Sequence, residues 1–163
     1  MIKRSIMVCL VALISLMYSP SVFAANWQEV YTKQGFGTYF IDIDSIDQNE
    51  KIVASATAKY ELTPFGAGFF TAIMQGIQKN QEFAKDVDFS RVKSMQHKLY
   101  IDIRNYHFAS DGEVLYDSQG NKIYQWPQHK LQWKVIQEFS DDDQAAKFII
   151  SILAERLYES YEQ

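Results

Sequence analysis

The chain has 163 residues, a formal charge of −4 at pH 7 and a single cysteine, Cys9. An acidic balance of this kind disfavours a phosphate backbone as partner, which sets nucleic-acid binding aside. One cysteine permits no internal disulfide and no thiolate zinc cage.

The N-terminus reads MIKRSIMVCLVALISLMYSPSVFAAN. Lys3 and Arg4 form a positive start, and an apolar run follows from Ile6 to Met17. Small residues at Val22 and Ala24 then suit signal peptidase, so residues 1–24 are expected to be a cleaved signal peptide. The apolar run is short for a bilayer span, which needs about 20 residues. Cys9 lies inside that run and not at the cut, so no lipid anchor is expected. Cleavage would leave residues 25–163, 139 in all, without cysteine. Losing Lys3 and Arg4 would take the formal charge from −4 to −6. That length makes one ordinary domain, large enough to bury a core without staples.

In chain order, 27–32 and 37–43 alternate as strands around a turn at Gln34-Gly35. A polar connection leads to a third strand, 52–60, whose Ala54, Ala56 and Ala58 share one face and leave room for an element to approach closely. Thr63-Pro64 then reads as an N-cap and first helical position. Phe69, Phe70, Ile73, Met74 and Ile77 recur at helical spacing behind it. This insert is read as a short helix packed on the domain, in preference to a membrane-active segment. Polar residues 81–98 read as a loop with a helical turn.

The stretch 98–126 alternates strongly. Leu99, Ile101 and Ile103 are expected on one strand face, with Tyr100, Asp102, Arg104, Tyr106 and Phe108 on the other. Asp111-Gly112 is either a hairpin turn or a bulge. Asp117–Asn121 is a turn that would set Leu115 opposite Ile123. A last short strand falls within 131–139. Ser140 then caps the best helix in the chain, Asp143 nearly completes a capping box, and three Asp sit at the positive dipole end. Ala145, Phe148, Ile149, Ile152, Leu153 and Leu157 form its apolar stripe. The expected fold class is α+β: an antiparallel sheet of about six strands with a C-terminal helix packed on one face and a short helical insert.

Chemistry is weakly signalled. His97, His107 and His129 show no metal-ligand spacing. A two-His site with Asp102 is conceivable, but solvated or hydrogen-bonded histidines are the simpler reading. Asp42/Asp44 and Asp141–Asp143 fit a strand end and a helix cap. No nucleophile elbow, phosphate loop or dinucleotide glycine pattern occurs. No catalytic site, metal or cofactor is expected, and the chain is read as no enzyme. Tyr and Arg are typical of binding surfaces. The partner-binding candidates are therefore Lys85, Arg91, Lys93 and Lys98, the most basic stretch, with Tyr100, Arg104 and Tyr106 from the aromatic strand face.

Asn26-Trp27, the strand end YFIDIDSI, the later YDSQGNKI and Trp133 before the terminal helix together resemble the bacterial surface-adhesin protein E domain family. The resemblance implies an antiparallel sheet with a C-terminal helix, binding to host matrix or serum proteins, and an ability to dimerise. This chain departs from it in lacking a lipobox cysteine and the disulfide that ties helix to sheet. Ile103 stands where one of those cysteines is expected. Surface display thus does not follow from the resemblance. The expected role is an exported binding domain engaging a host matrix or envelope protein, periplasmic, secreted or cell-surface associated, with no membrane span after cleavage. The alternative is a self-associating periplasmic structural or stress-related protein, such as a homodimer.

Overall fold

A computed structural model describes residues 25–49, 52–80 and 84–162. The expected signal segment lies outside these residues. Eight strands form one antiparallel sheet: β1 (Trp27–Lys33), β2 (Gly37–Asp42), β3 (Asp47–Gln48), β4 (Val53–Leu62), β5 (Ser94–Asp102), β6 (His107–Tyr116), β7 (Lys122–Gln125) and β8 (Lys134–Val135). The main order is β1-β2-β4-β5-β6-β7, while β3 pairs with β4 and β8 with β6. β8 is the short strand expected within 131–139, and β3, in the polar connection, is a two-residue addition. Helix α1 (Pro64–Asn80) is inserted between β4 and β5, and α2 (Asp141–Tyr161) closes the order. The fold is α+β, as the alternation and the terminal stripe indicate.

Local chemistry explains the turns. Asp42 ends β2 by accepting from the Asn26 amide at 2.9 Å and the Asp44 amide at 3.3 Å, which caps a 3-10 turn at Ile43–Ser45. Ser45 Oγ then accepts from the Thr57 amide at 2.8 Å, locking this turn to β4. Thr63 caps α1 through the Gly66 amide at 3.1 Å. Gly66 is required there, because a Cβ would collide with the Phe36 carbonyl oxygen.

The alternation of 98–108 misplaces one turn. The chain reverses at 103–106, between β5 and β6, and not at Asp111-Gly112. Asp102 forces the reversal by accepting from the Asn105 amide at 3.0 Å and its Nδ2 at 2.8 Å, and Tyr106 turns with φ +54°. Gly112, at φ +70°, sits in a bulge where β6 carries extra residues opposite His97. A second bulge shifts β7, so Leu115 faces Tyr124 in place of the expected Ile123.

Two clusters lie on one sheet face. Under α2, Tyr39, Ile41, Ala54, Ala56, Ala58, Leu99 and Ile101 pack with Ala145, Ala146 and Ile149. The three β4 alanines are fully buried, so they do seat the terminal helix. Under α1, Met74, Phe89, Val92 and Leu115 pack with Phe70, Met95 and Tyr124. The α2 stripe outlasts the sheet, since Leu157, Tyr158 and Tyr161 are exposed.

Candidate binding face

The other sheet face carries Phe40, Val53, Tyr100 and Val114, none of which belongs to either cluster. The register sets its side chains in rows. Glu29, Phe40, Lys59, Gln96, Val114 and Gln125 form one row across six strands. Thr57, Lys98 and Asp111 form the next, and Ser55, Tyr100 and Ala109 the one after. Cations are laid over the rings. Lys59 Nζ lies 4.6 Å from the Trp27 ring and 5.1 Å from Phe40, and pairs with Glu61 at 2.6 Å. Lys98 Nζ lies 5.5 Å from the Tyr100 ring. With strands about 4.8 Å apart and a rise of about 3.3 Å per residue, the face spans roughly 600 Å². Standard protein interfaces use about 800 Å² per partner.

At the β6 margin lies an open groove of about 250 Å³, lined among others by Phe108, Asp111, Trp126, His129 and Lys134. The loop forming its wall is tied back by the Trp126 amide on the Glu113 carbonyl at 2.9 Å.

The seven sequence candidates do not converge. Lys98 is exposed on this face and Tyr100 is half-buried there. Lys85, Arg91 and Lys93 lie before β5, near α1. Arg91 is committed to Asp117, its Nη2 donating to Oδ2 at 2.8 Å. Arg104 and Tyr106 sit in the turn beyond β5, about 26 Å away along the strand. Tyr106 does not share a strand face with Tyr100. It packs against the α2 cluster and donates to Asp143 Oδ1 at 2.5 Å. Trp27, Phe40 and Lys59, which build most of the face, were not among the candidates. Phe40 and Lys59 stand out of phase with buried Ile41 and Ala58, so the alternation itself carried that signal.

Of the titratable groups that sequence singles out, Asp117 closes a turn and Asp143 lies at a helix cap. His97 lies on the helix face, 2.9 Å from Tyr39 Oη, and burial pushes its pKa down to about 4. His107 pairs across the hairpin with Asp102 on the opposite face, so the two histidines do not meet. The His107 Nδ1 is buried and finds no hydrogen-bond partner. Asp117 closes the β6–β7 turn, and bonds from Asn121, Gln119 and Arg91 hold its carboxyl at about 2. Asp143 is held at about 2 by the Lys147 ammonium, the Tyr106 hydroxyl and the Phe139 amide. Among the described residues no group of three His, Cys, Asp or Glu side chains converges on a metal-sized site, and no helix is long and apolar enough to cross a membrane.

No family model matches the chain, and no curated protein matches it. Solved structures do. Haemophilus influenzae protein E superposes with a TM-score of 0.50 at 15% identity, over 81% of this chain and 89% of that one. The fold is that of protein E. A second crystal form of protein E gives 0.49 at 15% identity, over 75% and 91% of the two chains. Its selenomethionine form gives 0.46 at 16% identity, over 75% and 90%. The likeness to protein E is one of fold. At such identity it does not extend to what the face touches.

Proposed function

We propose that this chain is an exported, non-enzymatic domain whose open sheet face binds another protein, a host matrix or envelope component. The observation that carries the reading is the row of rings and cations on a face free of both cores: Trp27, Phe40 and Lys59 at one side, Lys98 and Tyr100 further along. Aromatic residues flanked by long cationic side chains combine large contact area with directional polar contacts. Export is supported by the N-terminal pattern of residues 1–24. A binding role without catalysis is supported by the use of His97, Asp102, Asp117 and Asp143 as core, turn and cap groups. The protein E fold adds a precedent for the framework.

The test is a binding panel of immobilised matrix, serum and envelope proteins against the parent and a Trp27→Ala/Lys98→Glu/Tyr100→Ala variant. A partner held at micromolar concentration by the parent, and at least about tenfold more weakly by the variant, is expected from losing central aromatic contacts. Equal binding by both would place the contact elsewhere.

A further inference from the structure

We propose that the groove at the β6 margin is a glycan-binding site that takes one uncharged pyranose unit of an oligosaccharide. The groove exists because the ladder on this side of β6 is interrupted. β8 pairs with His107 and Phe108, and β7 pairs from Val114 onward. Among the described residues no strand covers 109–113 between them on this side. The Ile136 amide donates to the Tyr106 carbonyl at 3.0 Å, so the even-numbered residues at the start of β6 turn their backbone groups this way. Ser110 therefore aims its amide and carbonyl into the gap. Among the described residues no backbone bond from the wall loop closes it. The loop crosses the gap without filling it, held by the Trp126 amide on the Glu113 carbonyl at 2.9 Å and the His129 amide on Asp111 Oδ1 at 3.4 Å.

The lining supplies what a sugar ring needs. Trp126 and Phe108 offer apolar ring surface for the C–H face of a pyranose. The Trp126 ring is steadied by an edge contact with Tyr124, centroids 5.0 Å apart, and Lys134 Nζ stands 6.0 Å from the Phe108 ring. Around the rings are acceptors, Asp111 and Glu113, and donors, Lys130, Gln132 and Lys134. The side chains of Glu113, Lys130 and Gln132 hold no hydrogen bond or ion pair among the described residues, so a ligand engages them without breaking a contact. A hydroxyl both donates and accepts, so neighbouring hydroxyls of one ring can bridge carboxylate and ammonium groups. The charge of the lining selects against ionic ligands. A phosphate or carboxylate would meet Asp111 and Glu113, and a cation would meet Lys130 and Lys134, whereas an uncharged polyhydroxyl ring meets neither repulsion. The volume of about 250 Å³ lies just under the roughly 300–1,000 Å³ of ordinary small-molecule sites, which suits one ring with the rest of the chain in solvent.

The experiment titrates the full chain, isolated from cells with its N-terminus verified by mass, and follows its backbone amides by NMR. The uncharged probes are tri-N-acetylchitotriose, N-acetyllactosamine and mannotriose. A chitosan trimer and a heparin tetrasaccharide are the charged ones. At least one uncharged sugar should shift the amides of Ser110–Glu113 and of the 126–132 loop, and bind more tightly than either charged probe. Chitotriose among the binders would point to a bacterial wall glycan as the source, and the other two sugars alone to a host glycan; each result supports the site. Trp126→Ala should bind at least about tenfold more weakly. Glu113→Gln/Lys130→Gln, on exposed side chains outside both cores, provides a second variant should the first fold poorly, and should weaken binding several-fold. No shift with any uncharged sugar, a charged probe bound as tightly as the best uncharged one, or equal binding by the parent and either folded variant would overturn the proposal. So would shifts confined to Trp27, Phe40 and Tyr100, which would put the sugar on the open sheet face.

Discussion

Asp143 joins three parts of the molecule. It sits at the first turn of α2, takes the Phe139 amide at 2.9 Å from the entering chain, and takes Tyr106 from the β5–β6 turn. Ser140 Oγ accepts from its amide at 3.2 Å. Further along α2, Arg156 donates to the Ile46 and Ile43 carbonyls, both at 2.8 Å. These bonds tie helix to sheet in a chain with no cysteine among the described residues. The Asp143 and Asp117 carboxyls are held near 2, below the unfolded value of about 3.9. Their contribution is therefore full above about pH 4 and is lost as pH falls toward 2. His97 acts higher up. Its folded pKa of about 4 lies below its unfolded value of about 6.5, so the unfolded chain alone takes up that proton between them. Stability should fall across this window by on the order of 3 kcal/mol at most. Urea midpoints measured from pH 7 to 2 check both. His97→Gln should flatten the upper window and Asp143→Asn the lower one. An unchanged profile in either variant contradicts the corresponding assignment.

At the scale of elements, the β4 alanine face and the α2 stripe are two halves of one contact. Ala54, Ala56 and Ala58 are fully buried beneath Ala145, Ala146 and Ile149. Small side chains on both partners let the helix come close, and a close seat leaves little slack. Ala56→Leu should cost about 1–3 kcal/mol by overpacking. Ile149→Ala should cost about 2–5 kcal/mol by opening a cavity. Chemical denaturation at neutral pH measures both. Ser140→Ala should cost about 1 kcal/mol, the worth of an N-cap. Both elements were legible in sequence because their periods, two and 3.6, run without interruption. The β5–β6 turn was not. The alternation of Ile101, Ile103 and their neighbours continues through the reversal, and only the bonds from Asn105 to Asp102 betray it. Tyr106 adopts a positive φ that its sequence does not advertise. The bulges at Gly112 and Ile123 likewise shift register without changing composition, which moved Leu115 from Ile123 to Tyr124. The candidate face was half legible. Lys98 and Tyr100 stood out by residue type, whereas their association with Trp27, Phe40 and Lys59 depends on strand order, which local pattern does not carry.

For the whole molecule, both helices gather on one side of the sheet and leave the other to solvent. An antiparallel sheet tolerates this because one face can be polar. Here that face is only partly polar: Trp27, Phe40 and Tyr100 interrupt Thr57, Lys59 and Lys98. The likeness to Haemophilus influenzae protein E is one of fold. The function proposed for this chain rests on its own side chains on the free face. The most direct measurement is photo-crosslinking in intact cells presented with matrix proteins. A photoreactive residue replaces Lys98 on the open face or, as control, Glu155 on the solvent side of α2. A discrete adduct is expected from position 98 and none from 155. An adduct from 155 alone, or no adduct from 98 under conditions where the protein is present at its native level, would contradict it.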